Sequence, residues 1–292
     1  MMVIAFLLQT MRMAIPYLLA AAGGVMSERV GVIALGLEGL MLSGAFGAAL
    51  GSYYGGSPWM GIIGALVAGQ VIMSIVAVAT LRFKANQVVV GVAINLLVVA
   101  VTRFFLRLVF DSASNSPRVP GFGGEGAGNA LLASFSNPVV WIGLMALPAL
   151  GWLLYQTPFG LRVRAVGEKP EAARTLGIAV GALRLKGLIL AGALASLGGA
   201  YLALDQHQFT DGMTAGRGFI ALAAVIFGRW EPTRVGVACL LFAAAETLQI
   251  QLQGAQLVPS QFVEMIPYVL TIIALAGVVG RSVAPAALGK TE

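Results

Sequence analysis

Histidine and cysteine are almost absent from this 292-residue chain, which contains only His207 and Cys239. A single cysteine cannot close an internal disulfide, and Cys239 lies in an apolar stretch where a small core residue is expected. A metal centre or a nucleophile–base pair would need several such groups close together. We therefore expect no metal site, no cofactor bound by the chain itself and no catalytic site, and the chain is predicted not to be an enzyme.

Charge is also scarce: 10% of the residues are charged, 59% are hydrophobic, and the mean hydropathy is +0.90. A soluble domain of this size needs more polar surface, so lipid is the predicted solvent. Long apolar stretches recur, and no short segments alternate as barrel strands do. The predicted fold class is all-α, a polytopic transmembrane helical bundle of about eight to ten spans. The 38 glycines favour closely packed helices.

The apolar stretches and the polar breaks between them predict nine candidate spans in a single transmembrane domain covering residues 1–292. The stretch 216–228 is too short to cross a membrane alone. Because the second stretch opens with the glycine-rich SERVGVIALGLEG, we consider broken or re-entrant helices at both places. The nine stretches are residues 5–26, 30–53, 58–81, 87–110, 138–155, 187–204, 216–228, 235–253 and 262–280.

Lysine and arginine are distributed unevenly between alternate loops. The loop 156–186 holds six of them, whereas one set of loops holds only Arg118 and Arg217. Basic loops are retained on the cytoplasmic side, so the N-terminus is predicted outside and the C-terminus inside. The same rule explains the net charge of +6 without a nucleic-acid partner. The outer segment 205–218, which contains the histidine, is predicted to be a solvated loop.

The loop 156–186 contains a predicted short helix. Pro170 suits the first helical position, Glu171 suits the positive end of the helix dipole, and Gly177 suits a left-handed residue after the last turn. A helix of about two turns is marginal alone, so it needs a surface to pack against. That surface is either another protein or, alternatively, this chain or the lipid headgroups.

Five polar side chains fall inside predicted spans, where such groups tend to face the bundle or a water-filled route. Glu246, Gln249 and Gln253 share one helix face, because their spacing is i, i+3 and i+7. Together with Asn95 they could hydrogen-bond sugar hydroxyls or a nucleobase edge. The alternative is hydrogen bonding between helices. For Glu38 a capping or pairing role is expected ahead of a substrate contact.

Four segments of the sequence carry recognisable motifs and together span most of the chain. They are GGVMSERVGVIALGLEGLMLSGAFGA (23–48), NQVVVGVAINLL (86–97), TPFGLRVRAVGEKPEAARTLGI (157–178) and GRGFIALAAVIFGRWEPTRVGVACLLFAAAETLQIQLQ (216–253). These segments resemble permeases of the branched-chain amino acid and ribose-type ABC importer family. The phrase GLEGLMLSGAF is similar to the nucleoside (basic membrane protein-linked) and simple-sugar branch. The GGIDLS-like phrase typical of ribose permeases is missing at that place.

The resemblance implies a permease subunit that forms the translocation pathway of an importer in the bacterial cytoplasmic (inner) membrane. It implies nucleosides or related purines as substrates, with simple sugars as the nearest rival. Apart from the resemblance, a less favoured alternative is an ion-coupled secondary transporter that uses Glu38 or Glu246 as a proton site. The implied partners are a second, different permease that is longer than this chain, an ATPase whose two nucleotide-binding domains bind the ATP, and a substrate-binding lipoprotein. In such importers a short helix seated on the ATPase transmits its motion. The residues implied here are Glu168, Pro170, Glu171, Ala172, Ala173, Arg174, Leu176 and Gly177.

Overall fold

The computed structural model describes residues 2–122, 137–255, 265, 269 and 283–290. Within these ranges the chain forms helices and no strand, and one isolated bridge pairs Asn115 with Thr210. The predicted all-α class is therefore confirmed. The helices of the described ranges are α1 (Met2–Arg29), α2 (Leu37–Gly55), α3 (Pro58–Ala77, continued by the π-helical turn Val78–Arg82), α4 (Gln87–Phe110), α5 (Pro138–Gln156), α6 (Pro158–Glu168), α7 (Pro170–Thr175), α8 (Val180–Asp205), α9 (Arg217–Phe227) and α10 (Pro232–Ala255).

Six helices of the described ranges are long and apolar enough to cross a membrane. They are α1, α3 with its π-helical turn, α4, α5, α8 and α10. Helix α9 has only 11 residues, in agreement with the prediction that this stretch is too short to cross alone. The predicted ninth span, 262–280, lies outside the described ranges except for residues 265 and 269.

Two predicted spans begin seven residues away from the helix start in the structure, at 37 rather than 30 and at 180 rather than 187. Helix α2 begins at Leu37 rather than at 30, because residues 30–36 are not helical. Helix α8 begins at Val180 rather than at 187. It continues through a charged stretch because Arg184 is buried and its Nε donates a hydrogen bond to the carbonyl of Val30 at 3.2 Å. Arg184, whose charge indicated a loop in the sequence, therefore stabilises the contact between α8 and the segment that follows α1.

Helix α8 lies at the centre of the bundle and packs against α1, α2 and α3. The approach of α2 to α8 depends on two glycines. A side chain at Gly44 would collide with the backbone of Ser196, and one at Gly199 would collide with the backbone of Met41. Small residues allow helix backbones to come this close in a membrane, where no hydrophobic effect drives helices together. The close packing predicted from the glycine content is confirmed here.

The segment between α8 and α9 is packed into the protein, and the predicted solvated loop at 205–218 is wrong. Phe209 and Thr214 are buried. The Phe209 ring lies edge-to-face on Phe46, with 5.2 Å between the ring centroids. His207 Nδ1 is 3.3 Å from the carbonyl oxygen of Val119. The polar sequence suggested solvent, but its few apolar side chains anchor the segment and bring its end to the start of α2.

Candidate functional site

Two helices begin inside the bundle without a capping side chain of their own. Helix α2 follows Gly36 and helix α9 follows Gly216, and neither N-cap position makes a side-chain hydrogen bond. The first turn of a helix leaves several N–H groups without a partner. In a membrane these donors need an acceptor from the protein. The structure supplies both acceptors from neighbouring helices.

Glu38, in the first turn of α2, caps α9. Its Oε1 accepts hydrogen bonds from Thr214 Oγ1 at 2.6 Å and from the Gly216 N–H at 2.9 Å. Its Oε2 accepts one from the Gly218 N–H at 2.7 Å. A carboxylate at a helix N-terminus is also favoured by the helix dipole. We call these four residues the helix-start junction.

Asn95 of α4 caps α2. Its Oδ1 accepts a hydrogen bond from the Gly39 N–H at 2.8 Å, and its Nδ2 donates one to the Leu35 carbonyl at 2.9 Å. Earlier on α4, Gln87 Oε1 accepts a hydrogen bond from the Ile33 N–H at 2.8 Å. Two amides of α4 therefore replace helical hydrogen bonds that the break before α2 removes.

Glu246 of α10 forms an ion pair at the start of α9. Its Oε1 lies 2.5 Å from Arg217 Nη2, and the two side chains are only 14% and 18% exposed. The Tyr17 hydroxyl of α1 donates a hydrogen bond to Glu246 Oε2 at 2.8 Å. Arg217 Nη1 also donates to the Met213 carbonyl at 3.1 Å. Pairing and additional hydrogen bonds are what a carboxylate needs inside a membrane bundle.

Gln249 and Gln253 are the other two residues predicted for the substrate pathway, and both are half-buried. They lie along the Glu246 face of α10. Glu38, Asn95 and Glu246 all have partners within this chain. Their contacts match the alternative interpretation of hydrogen bonding between helices. Gln249 and Gln253 therefore remain the better candidates for contact with substrate.

Sequence reasoning missed the role of Arg217, which it assigned to an outer loop. The structure makes Arg217 the first residue of α9 and the partner of Glu246. Glu246 lies in an apolar span and needs a partner there. That requirement was a signal that could have pointed to a cation such as Arg217. No local signal identifies Thr214 or Tyr17, because their carboxylate partners are 176 and 229 residues away in the chain.

The region predicted as a loop at 156–186 contains two complete helices, α6 and α7, and the first turns of α8. Thr157 Oγ1 caps α6 by accepting a hydrogen bond from the Gly160 N–H at 3.1 Å. Helix α7 begins at Pro170, as predicted. Gly177 has a φ of +76°, also as predicted, and the Ile178 N–H closes the helix end on the Ala173 carbonyl at 3.0 Å.

Helix α7 has a buried face and an exposed face. Pro170 is buried and Ala173 is 2% exposed, so these two residues hold the helix on the bundle. Leu176 is 79% exposed. Leu176 therefore lies open on the side of the helix that the bundle does not cover. The other predicted coupling residues are all exposed: Glu168, Glu171, Ala172, Arg174 and Gly177.

Residues 283–290 pack against the same end of the bundle. The Ala287 N–H donates a hydrogen bond to the Gly167 carbonyl at 2.9 Å, and the Gly289 N–H donates one to the Gly31 carbonyl at 3.2 Å. The Ala286 N–H lies 3.4 Å from Glu168 Oε2. This segment therefore joins the end of α6 to the break that follows α1.

A chain of polar contacts connects α6 with the turn before α10. The Arg164 guanidinium lies over the Tyr155 ring, 5.0 Å from its centroid. The Tyr155 hydroxyl accepts a hydrogen bond from Arg29 Nη2 at 3.2 Å. Arg29 also donates from Nε and Nη2 to the Trp230 carbonyl at 3.1 and 2.9 Å. The Trp230 indole N–H donates to Glu28. We call these five residues the Arg29 network.

The apolar helices and the enclosed breaks between them define the class, a multi-pass membrane protein. Comparison with known proteins gives the family. The family model described as "Branched-chain amino acid transport system / permease component" matches residues 6–275. The chain belongs to this family, as the resemblance of its sequence segments predicted.

Three relatives are similar over most of their length. The guanosine ABC transporter permease protein NupQ of Bacillus subtilis (strain 168) is 39% identical and covers 96% of this chain and 93% of its own. The nucleoside ABC transporter permease protein NupC of Lactococcus lactis subsp. cremoris is 37% identical, with 94% and 92% covered. TsgC13 of Haloferax volcanii, whose name is "Putative glucose ABC transporter permease protein", is 35% identical, with 85% and 78% covered.

Two more distant similarities complete the comparison. NupP, a guanosine ABC transporter permease protein also of Bacillus subtilis, is 22% identical and covers 88% of this chain and 77% of its own. A solved inward-facing ABC transporter, described as of the metal-chelate type, has a TM-score of 0.52 and is 16% identical. The match covers 92% of this chain and 84% of that one, and at this identity it shows the fold alone.

Proposed function

We propose that this chain is a permease subunit of a bacterial ABC importer and forms part of a pathway for nucleosides or related purines. The observation that carries this proposal is the identity of 39% and 37% to a guanosine and a nucleoside permease, over at least 94% of the chain. Simple sugars are the second candidate, because TsgC13, a protein named as a putative glucose permease, is 35% identical.

The rest of the pathway is assigned to a second, different permease. This chain is 39% identical to one guanosine permease of Bacillus subtilis and only 22% identical to another. The match covers 93% of NupQ but 77% of NupP, which supports a longer second subunit. Unequal similarity to two chains of one organism favours two non-equivalent subunits over two copies of this one.

ATP is proposed to be bound by a separate ATPase with two nucleotide-binding domains, on which α7 is seated. A helix of six residues is too short to be stable alone, so its exposed face needs a partner. Pro170 and Ala173 fix the opposite face on the bundle, which lets α7 pass a displacement inward. This assignment places α6, α7 and the C-terminus in the cytoplasm and the N-terminus outside.

The Arg29 network connects a displacement of α7 with the helices of the proposed substrate pathway. It joins α6 to Trp230, in the turn that connects α9 and α10. Arg229 and Trp230 both have positive φ values, 55° and 57°, so this turn holds an unfavourable backbone conformation. We infer that movement of α7 reaches α9 through this turn. At its other end α9 is capped by Glu38 and paired with Glu246, one turn from Gln249.

Substrate is proposed to arrive from a lipoprotein receptor on the outer side and to meet Gln249 and Gln253. An amide side chain offers both a donor and an acceptor, which suits a nucleobase edge or ribose hydroxyls. Asn95 is less suited, because both ends of its amide are bound to the backbone of the break before α2.

Reconstitution into proteoliposomes tests the proposed function. The full chain would be purified with its companion permease, ATPase and lipoprotein, and labelled guanosine or glucose would be offered with ATP. We expect uptake of guanosine that requires ATP and that glucose does not compete. Uptake of glucose alone would reassign the substrate to a sugar. Accumulation by this chain alone under an ion gradient, without ATP, would overturn the importer assignment.

A further inference from the structure

A cavity of about 800 Å³ opens between α6, the α7–α8 connection and the first turns of α8. Its lining includes two cations, Arg162 of α6 and Lys186 of α8, and no acidic side chain of the described residues. The remaining lining is mostly apolar, with Leu161, Ile178 and Leu183 among its members. Across the described ranges, neither cation has an ion-pair partner. Two unpaired positive charges therefore face one amphipathic cavity.

Both cations lie at the boundary between charged and apolar sequence. Lys186 is the last charged residue of α8 before Asp205 at its end. Arg162 lies in the second turn of α6, directly after α5, a candidate span without any charged residue. Lysine and arginine at the ends of spans lie in the headgroup layer of a membrane. The cavity therefore lies beside the ends of two candidate spans, where a lipid headgroup can reach it.

An apolar track leads from the cavity into the span. Leu185 and Ile189 are exposed on α8, one helical turn apart, beside Lys186. Leu161 is 61% exposed next to Arg162. A ligand that covers this surface needs an anionic group for the two cations and an apolar part for the leucines and the isoleucine.

We propose that the cavity binds an anionic phospholipid, with the phosphate between Arg162 and Lys186 and an acyl chain along Leu185 and Ile189. Basic pockets between membrane helices near the ends of spans suit anionic headgroups. A zwitterionic lipid brings its own cation and gains less from the pair. Inorganic phosphate would leave Leu161 uncovered.

Occupancy would also fix the position of α7. The connection 176–178 forms one wall of the cavity and directly follows α7. A bound lipid therefore supports the segment that we assign to the ATPase contact. The lipid site itself does not depend on the transported substrate, and its test measures lipid rather than uptake.

Native mass spectrometry of the full chain in neutral detergent tests the proposal. Phosphatidylglycerol and phosphatidylcholine with the same acyl chains would be titrated against the wild type and the variant Arg162→Gln/Lys186→Gln. Each surface cation contributes about fivefold to anionic-lipid affinity, so we expect the double variant to bind phosphatidylglycerol about thirtyfold more weakly. The matched control is Arg82→Gln/Lys84→Gln, which removes two exposed cations outside the cavity.

Further variants keep the result interpretable. Arg162→Lys/Lys186→Arg retains both charges and is expected to bind phosphatidylglycerol as the wild type does, which separates lost charge from failed folding. Equal losses in the cavity variant and the control would overturn the site in favour of general attraction to anionic lipid. Displacement of the lipid by equimolar inorganic phosphate would overturn it in favour of a free anion. Phosphatidylglycerol binding by the cavity variant equal to that of the wild type would also overturn the site.

Discussion

The side chains that cap the two broken helices differ because the groups that they meet differ. At the start of α9, Glu38 meets only donors: one hydroxyl and two backbone N–H groups. A carboxylate accepts all of them. At the start of α2, Asn95 meets one N–H and one carbonyl, and only an amide serves both. At the residue scale, the chemistry of each break determines which polar side chain the bundle tolerates.

The Arg217–Glu246 pair predicts a strong effect from a single substitution. Arg217→Met leaves the Glu246 carboxylate without its cation, and breaking such a pair from one side costs about 3–5 kcal/mol. We expect Arg217→Met/Glu246→Met to recover part of that loss. Thermal unfolding of the purified protein in detergent measures both variants.

An exposed pair on the same chain serves as the control for this cycle. Glu231 and Arg234 lie 2.7 Å apart with side chains 39% and 57% exposed. Arg234→Met is expected to change stability by less than about 1 kcal/mol, because water already solvates both charges. If the double variant lost as much stability as Arg217→Met and Glu246→Met lose together, the two side chains would not be coupled.

Substitutions of Gln249 and Gln251 distinguish a role in the substrate pathway from a structural role. Gln249 is half-buried on the Glu246 face of α10, whereas Gln251 is exposed. We expect Gln249→Ala to change the rate or nucleoside preference of ATP-dependent uptake, because it removes a donor and an acceptor from the proposed route. Gln251→Ala should leave uptake unchanged. Normal uptake in both variants, at equal membrane levels, would remove Gln249 from the pathway.

At the element scale, local sequence sets where helix α7 begins and ends, and packing against the bundle sets which of its faces is buried. The start at Pro170 and the left-handed residue at Gly177 follow from local rules. Which face is buried depends on the bundle: Ala173 is covered while Leu176, in the next turn, is open. The predicted coupling residues therefore fall into two groups, one that holds the helix on the bundle and one that is exposed.

Charged substitutions at Leu176 and Ala173 should have different consequences. Leu176→Glu is expected to leave membrane insertion intact and to lower uptake per ATP hydrolysed, because it alters only the exposed face. Ala173→Glu buries a charge and is expected to lower the yield of folded protein. Val283→Glu, at an apolar position that is 83% exposed, is the control for an added surface charge. Unchanged coupling with Leu176→Glu would reject the ATPase contact.

The Arg29 network can be tested by removing one hydroxyl. Tyr155→Phe keeps the ring under Arg164 but loses the hydrogen bond from Arg29. If the network transmits motion, uptake per ATP falls while ATP hydrolysis by the complex continues. Tyr53→Phe is the matched control, because Tyr53 and Tyr155 are 43% and 42% exposed. Equal coupling in the two variants would place transmission elsewhere.

At the scale of the whole molecule, the helices differ greatly in how much of their surface this chain covers. The most apolar window of α8 is 72% buried, whereas those of α3 and α4 are only 28% and 22% buried. Helix α8 is therefore the internal scaffold, and α3 and α4 present apolar faces outward. Those faces meet lipid or a second subunit, which a membrane protein requires of any apolar surface left open.

The proposed pairing of two different permeases predicts the composition of the purified complex. We expect a tagged copy of this chain to co-purify with a companion permease of the NupP kind, and not with an untagged second copy of itself. Co-expression of all three chains in one cell, followed by affinity purification and mass spectrometry, measures both outcomes. Recovery of the untagged copy at equal stoichiometry would favour a homodimer.

Much of the fold could be predicted because lipid imposes simple requirements on a chain. Apolar stretches of sufficient length predicted α3, α4 and α5 to within a few residues. The predictions were less accurate where polar groups are satisfied at long range. The break before α2 was suspected from its glycines, but its closure by Gln87 and Asn95 joins residues more than fifty positions apart. The substrate role predicted for the polar face of α10 stays a prediction.

The sequence by itself determined the solvent, the helical class, the family and the place of the short helix α7. These follow from hydropathy and local backbone rules, which act over a few residues. Only the tertiary structure decided that Glu38 caps α9, that Arg217 pairs with Glu246 and that Arg162 and Lys186 face one cavity. A polar group in a membrane must find its partner wherever packing places one, and distance along the chain does not limit that choice.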